Sequence, residues 1–210
     1  GSFGDDIANM KGVGGLADQL WDQLDAQVDD FQGGVAGFRD FQTAPWGSSG
    51  DWVYRLLQDL TSDKASWTAG INLLSANGGN DYPEAQLAAL KSGADGHAWD
   101  SNGDGDFTDP NDTPAGSNPT WRTDATKVIV LVTDATYHVQ GDAGGWPGPT
   151  YAEAITELND AGVHVIILTT ASVMASYDSL AADTGGAVQE ITSDSTGLVE
   201  AILAALPELR

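Results

Sequence analysis

The chain has 210 residues, and 31 Asp and Glu against 8 Lys and Arg give it a formal net charge of −23. Phosphate recognition needs a basic surface that so few cations cannot assemble, which excludes a nucleic-acid binder, and anionic headgroups would repel the chain. No apolar run approaches the roughly 18 to 20 residues of a spanning helix, so direct membrane insertion is not expected. With 41% hydrophobic residues and seven Trp the chain can still bury a core, and its length suits a single domain, 1–210, carrying an insertion. Zero Cys removes disulfides, thiolate metal sites and cysteine nucleophiles. What remains for the carboxylates is solvation, salt tolerance or hard cations such as Ca²⁺ and Mg²⁺.

In chain order, Ile7, Met10, Val13, Leu16, Leu20, Leu24 and Val28 recur at three- and four-residue steps, predicting one amphipathic helix from about Asp6 to Asp30. Asp5 and Asp6 stand at its start, where carboxylates cap orphan N–H groups. Val35 to Phe41 reads as a short strand. Two helical stretches are expected next, Asp51 to Leu60 and Asp63 to Ser75, and then a loop from Asn77 to Pro83. Pro83 suits the first turn of a further helix, Glu84 to Lys91. From Ser92 to Pro119 the chain is rich in Gly, Asp, Asn and Pro with almost no aliphatic residues, and reads as an insertion outside the core.

Lys127-Val-Ile-Val-Leu-Val-Thr133 and Val163-His-Val-Ile-Ile-Leu-Thr169 are continuous apolar runs, the pattern of parallel strands covered on both faces. Between them a helix is predicted over Thr150–Asp160. A helix over Ser172–Ala182, a strand over Ala187–Ile191 and a last helix over Thr196–Leu206 follow. Alternating strands and helices imply an α/β fold, a doubly wound, mostly parallel sheet with helices on both faces, Rossmann-like in class. Ligands of such sheets gather at the carboxyl ends of the strands.

Acids cluster at that edge: Ser2 with Asp5 and Asp6 before the first helix, Asp40 after a strand, Asp81 and Glu84 around a loop-to-helix junction, and Asp134 after the central strand. Taken singly, each acid reads more readily as a helix cap or a solvated loop residue than as a ligand, Asp134 the least so because it ends an apolar strand. Oxygen ligands separated in sequence but gathered by topology are what a Ca²⁺ or Mg²⁺ site requires. The insertion carries its own pattern. Asp100, Asn102, Asp104 and Asp106, with Gly105 at position 6, match the opening of a calcium loop that continues through Thr108. The closing Glu at position 12 is replaced by Asn111, with Asp109 and Asp112 on either side, and a merely solvated Asp/Gly loop is the alternative. His97, His138 and His164 show no His-x-x-x-His spacing, so zinc is not expected. Trp46 and Trp146 lie in Pro/Gly loops and either pack there or line the ligand face.

Five segments in order resemble the von Willebrand factor A domain, in the form found in integrin β subunits (the I-like domain). These are Gly1-Ser2-Phe3-Gly4-Asp5-Asp6-Ile7, Val35-Ala-Gly-Phe-Arg-Asp40, Asn80-Asp81-Tyr82-Pro83-Glu84, Trp121-Arg122 with Val130-Leu-Val-Thr-Asp134-Ala-Thr-Tyr-His138, and Thr192-Ser-Asp-Ser195. The likeness covers most of the chain outside Ser92–Pro119. It implies three neighbouring cation sites. Ser2, Glu84 and Asp134 would form the metal-ion-dependent adhesion site, completed by a partner's carboxylate beside Ser2 and Glu84. Asp5 and Asp6, with carbonyls of Ser2 and Ser193, would hold an adjacent ion. Asp40, Asp81, Glu84 and the Pro83 carbonyl would hold the third. Gly79 stands where the family supplies Asn, with Asn80 as its alternative. The family's first strand, with its leading Asp-x-Ser, would precede Gly1 and is not in this chain, and Ser2 counts as a ligand only if Gly1-Ser2 is native.

The reading that follows is a non-enzymatic, Ca²⁺- and Mg²⁺-dependent (or Mn²⁺-dependent) adhesion module of an extracellular or cell-surface, multidomain, bacterial protein. Zero Cys supports that source, because animal integrin β domains carry disulfides. A metal-dependent hydrolase with Asp134 as nucleophile or ligand is the rival from another class, although no accompanying base or oxyanion group can be placed. A calcium-stiffened spacer is the third reading.

Overall fold

The computed structural model describes residues 4–12, 14–142, 144–191 and 198–205. It is a mixed α/β structure built on two sheets. β3 (Lys127–Thr133), β4 (Val163–Thr169) and β5 (Ala187–Glu190) form a three-stranded parallel sheet in the order β3-β4-β5, with Lys127 opposite Val163 and Thr133 opposite Thr169. β1 (Gly33–Phe38) and β2 (Tyr54–Thr61) form a separate antiparallel pair, Phe38 opposite Tyr54.

The two apolar runs were read as strands covered on both faces, and their contacts divide residue by residue as the pleat requires. Ile129, Leu131, Val163, Val165 and Ile167 pack on one side against α4 (Gln86–Asp95), α5 (Tyr151–Ala161) and α6 (Asp178–Asp183). Val128, Val130, Val132, Ile166 and Leu168 pack on the other against Leu24 of α2 (Leu16–Gln27) and Ile202 of α7 (Leu198–Ala205). α2 also faces the smaller sheet. Ala17 and Trp21 meet Val35 of β1 and Trp67 and Ile71 of α3 (Lys64–Leu73).

Several expectations need correction. The single helix over Asp6–Asp30 is two, α1 (Gly4–Met10) and α2, because Gly12 and Gly14 take the left-handed backbone (φ 86° and 79°) between them. Asp51–Leu60 is not helical. From Tyr54 onward it is β2, because pairing with β1 outweighs an indifferent local propensity. The helix expected over Glu84–Lys91 begins at Gln86 and runs to Asp95, which leaves Glu84 on the loop before it. Ser172–Ala182 divides into a 3-10 turn, Met174–Ser176, and α6. Between Ser92 and Pro119, Trp99, Ser101, Asp112 and Thr113 are buried, so the segment is anchored in the molecule rather than lying wholly outside its core. The residues on Thr192–Ser195, like Ser2, lie outside the described residues.

The free edges of β1 and β3 do not pair with each other. The whole of both strands lines a cavity of about 850 Å³ between the sheets, and Glu84 and Asp134 line it too.

Candidate metal centre

Three loops meet beyond the ends of β1 and β3. The first leaves β1 at Arg39-Asp40, the second runs from Asn77 to Glu84 ahead of α4, and the third leaves β3 and contains His138 and Trp146. Backbone hydrogen bonds join them. Ala85 N–H donates to the Arg39 carbonyl at 3.2 Å, Glu84 N–H donates to the Thr136 carbonyl at 3.0 Å, and His138 N–H donates to the Glu84 carbonyl at 3.0 Å. Beneath them Phe41, Trp46, Val53, Ala85, Ala88, Trp99 and Trp146 form an apolar floor. Trp46 and Trp146 are therefore buried packing residues, 7% and 1% exposed, and not walls of an open ligand face.

Asp40 is fully buried. Its Oδ1 accepts from the Phe41 N–H at 2.7 Å and from Trp146 Nε1–H at 2.9 Å. Its Oδ2 accepts no hydrogen bond. Burial pushes the carboxyl up to about 6, against the lowering pull of those two donors. His138, 3% exposed, brings Nε2 within 3.7 Å of that orphan Oδ2 and 3.2 Å of Asp81 Oδ2. Among the described residues, Asp40, Asp81 and His138 form the one group of acids and histidines whose candidate ligand atoms all lie within 4.8 Å of one another.

Glu84 joins the same charge field. Burial, reinforced by the charges of Asp40, Asp51 and Asp81, pushes its carboxyl up to about 8. The close approach depends on Gly79, in the left-handed region at φ 69°, where an added Cβ would stand 2.8 Å from Glu84 Oε1. A side chain at position 79 would require the Glu84 carboxylate to shift. Asn80 Nδ2 donates to the Pro45 carbonyl at 3.2 Å. Asp51 braces the loop from below. It is 2% exposed, and its Oδ2 accepts from Ser48 N–H at 2.7 Å and Gly79 N–H at 2.9 Å. Arg39 Nη1 lies 3.6 Å from its Oδ1.

Of the residues singled out in the sequence, the structure thus gathers Asp40, Asp81 and Glu84, with half-buried Pro83 linking the last two through the loop. Asp134 is half-buried at the end of β3, and its carbonyl accepts from Tyr82 Oη–H at 2.9 Å. Asp5 is exposed and Asp6 buried in the first turn of α1, and neither belongs to the group around His138. His138 and Asp51 were missed. His138 carried a signal, standing four residues after Asp134 in a loop that must return over the same sheet edge.

The insertion loop is built differently. Asp100 Oδ1 and Oδ2 accept from Gly103 and Gly105 N–H, both at 2.7 Å. Asp104 accepts from Asp106 N–H at 2.8 Å, and Asp106 from Thr108 N–H at 3.0 Å. Asn102 Nδ2 donates to Asp104 and Asp109 carboxylates at 3.1 and 2.7 Å. Buried Asp112 closes the loop by accepting from Ser101 N–H at 2.8 Å and Asp109 N–H at 2.9 Å.

No family model matches the chain, and no curated protein matches it. No helix among the described residues is long and apolar enough to cross a membrane.

Proposed function

We propose that the chain is a von Willebrand factor A-like module of the integrin β I-like kind, binding a divalent cation at the edge formed by Asp40, Asp81 and Glu84 and recognising a partner's carboxylate at the neighbouring position of Ser2, Glu84 and Asp134. One observation carries this reading: a buried carboxylate with an oxygen that accepts no hydrogen bond, Asp40 Oδ2, stands beside Asp81 in a group of acids whose charges, with burial, raise Glu84. A buried, crowded set of oxygens is stabilised by an ion that neutralises it. The residues therefore fit the ion that the resemblance implies: Asp40, Asp81, Glu84 and the Pro83 carbonyl would hold it, with Asp134 and Ser2 contributing at the neighbouring position.

At that neighbouring position a hard cation would supply an electrophilic centre for an incoming carboxylate. The protein's part is to hold its acids together against repulsion through the Asp51–Gly79 and Trp146–Asp40 bonds. In the same reading the two sheets are halves of one doubly wound sheet. Support comes from the cavity walled by the free edges of β1 and β3, where the resemblance sets a central strand. The loop from Asp100 to Asp112 is proposed as a second, weaker Ca²⁺ site, suited to the millimolar calcium of an extracellular setting.

The test is binding of a surface-coupled Asp-containing peptide, and of its Asn counterpart, with Ca²⁺, Mg²⁺ or Mn²⁺ and after chelation. Binding of the Asp peptide alone, lost on chelation and in Glu84→Gln, supports the reading. Metal-independent binding overturns it.

A further inference from the structure

The acids at the strand ends do not explain the imidazole set among them. His138 Nε2 points at two carboxylates, with Asp81 Oδ1 and Oδ2 at 3.3 and 3.2 Å and Asp40 Oδ2 at 3.7 Å. Donors around an ion with bonds of about 2.0–2.2 Å stand about 2.8–3.6 Å apart in octahedral or tetrahedral geometry. The measured spacings are close to that range. The orphan Oδ2 of Asp40 is the second sign of a ligand, for it is fully buried and aimed at the same point.

The other side of the ring completes the pattern. His138 Nδ1 makes no hydrogen bond of good geometry but lies 3.5 Å from Asp142 Oδ2. That carboxylate is fixed by the Val139 N–H at 2.9 Å. A metal-bound histidine commonly gives its second N–H to a carboxylate, which sets the tautomer and leaves the first nitrogen's lone pair for the ion. The ring plane is fixed as well. His138 stacks on Trp146 with 26° between planes and 5.4 Å between centroids, and Trp146 holds Asp40 through its indole N–H. One loop thus orients both an imidazole nitrogen and a carboxylate oxygen toward one place.

Given the cation site proposed above, we propose that His138 Nε2 is a direct ligand beside Asp40 and Asp81. Asp142 is its positioning residue, and the site therefore prefers a first-row transition dication such as Mn²⁺ or Zn²⁺ to Ca²⁺ or Mg²⁺. Calcium and magnesium take oxygen almost exclusively, whereas imidazole favours the softer ions.

The experiment is pulsed EPR of the Mn²⁺-loaded full chain, paired with competition of Ca²⁺ and Zn²⁺ against Mn²⁺. A nitrogen modulation is expected that changes when the histidines are ¹⁵N-labelled and disappears in His138→Gln. Zn²⁺ should displace Mn²⁺, and Ca²⁺ should do so only weakly. Asp142→Asn should weaken Mn²⁺ by about tenfold or more while leaving Ca²⁺ within about threefold. The ¹⁵N-labelled wild-type chain gives the decisive signal even if His138→Gln fails to fold. Saturable Ca²⁺ or Mn²⁺ binding with no nitrogen modulation overturns the histidine ligand and leaves the cation site standing. No saturable binding of any dication overturns both.

Discussion

Two regions of this molecule are rich in Asp, and they treat carboxylates in opposite ways. Around Asp100–Asp112, Asp104 and Asp106 are exposed and Asp100 and Asp109 half-buried, and all but Asp109 already accept backbone N–H groups, so the loop holds its own shape. Around Asp40, Asp40 and Asp51 are buried, Asp81 and Glu84 are half-buried, and the group is set close together. One buried oxygen goes without a donor, and two of the carboxyls are held well above their ordinary range. A count of acids does not distinguish the regions; burial and backbone satisfaction do. The first region can exist without an ion, whereas the second stores a repulsion that an ion would relieve.

The largest effect should come from chelation. At a cation concentration about a hundredfold above Kd, binding adds about 2.7 kcal/mol, roughly 5–10 °C in Tm for a chain of this size. Thermal unfolding with and without chelator should show that increment in the wild type. It should be absent in Asp40→Ala and nearly intact in Asp104→Ala, and equal losses in the two variants would erase the contrast between the regions.

Glu84→Gln should next act in two directions. The folded carboxyl titrates near 8 against an ordinary value of 4.5, so it prefers to be protonated in the folded state. Its contribution to stability is complete below about pH 4.5 and is lost as pH rises through about 8. In the metal-free protein Glu84→Gln should therefore unfold at higher temperature than wild type at pH 8, by about 1–2 kcal/mol after allowing for partial solvent screening. The difference should vanish near pH 4.5. Asp40, titrating near 6, should add a second loss of wild-type stability between about pH 4 and 6. With saturating cation the order should reverse, and Glu84→Gln should be the less stable protein.

Gly79→Ala should cost about 1–2 kcal/mol, since it combines a left-handed backbone with a Cβ directed at Glu84. Cation affinity should fall with it, measured by calorimetric titration. A Gly50→Ala control shares the left-handed backbone but meets no neighbour within 4 Å, so it separates backbone strain from crowding at the site. The smallest effect belongs to the exposed loop. Millimolar Ca²⁺ should give a second thermal shift of about 1 kcal/mol or less that survives Glu84→Gln but not Asp104→Ala.

The parallel strands were legible because Val128–Val132 is apolar at every position and Val163–Leu168 at every position but His164, a pattern that few surface elements share. β2 was not legible. Tyr54-Arg-Leu-Leu-Gln-Asp-Leu-Thr61 suits a helix as well as a strand, and only pairing with β1 decides. Asp40, Asp81 and Glu84 could be picked out by their places at element ends. Asp51 could not, because its importance comes from three loops converging, which no local spacing records, and the signal at His138 was only its place four residues after Asp134. Nor could the sequence distinguish the Asp100 loop from the Asp40 group in kind, since the indole that donates to buried Asp40 belongs to Trp146, 106 positions away.

The central claim is that the acids around Asp40 make a cation site, and calorimetric titration of the chelator-treated chain with Mn²⁺ tests it most directly. The account predicts one saturable site that disappears in Asp40→Ala and persists in Asp104→Ala. Binding that is unchanged in Asp40→Ala, or lost only when the exposed loop is altered, would contradict it.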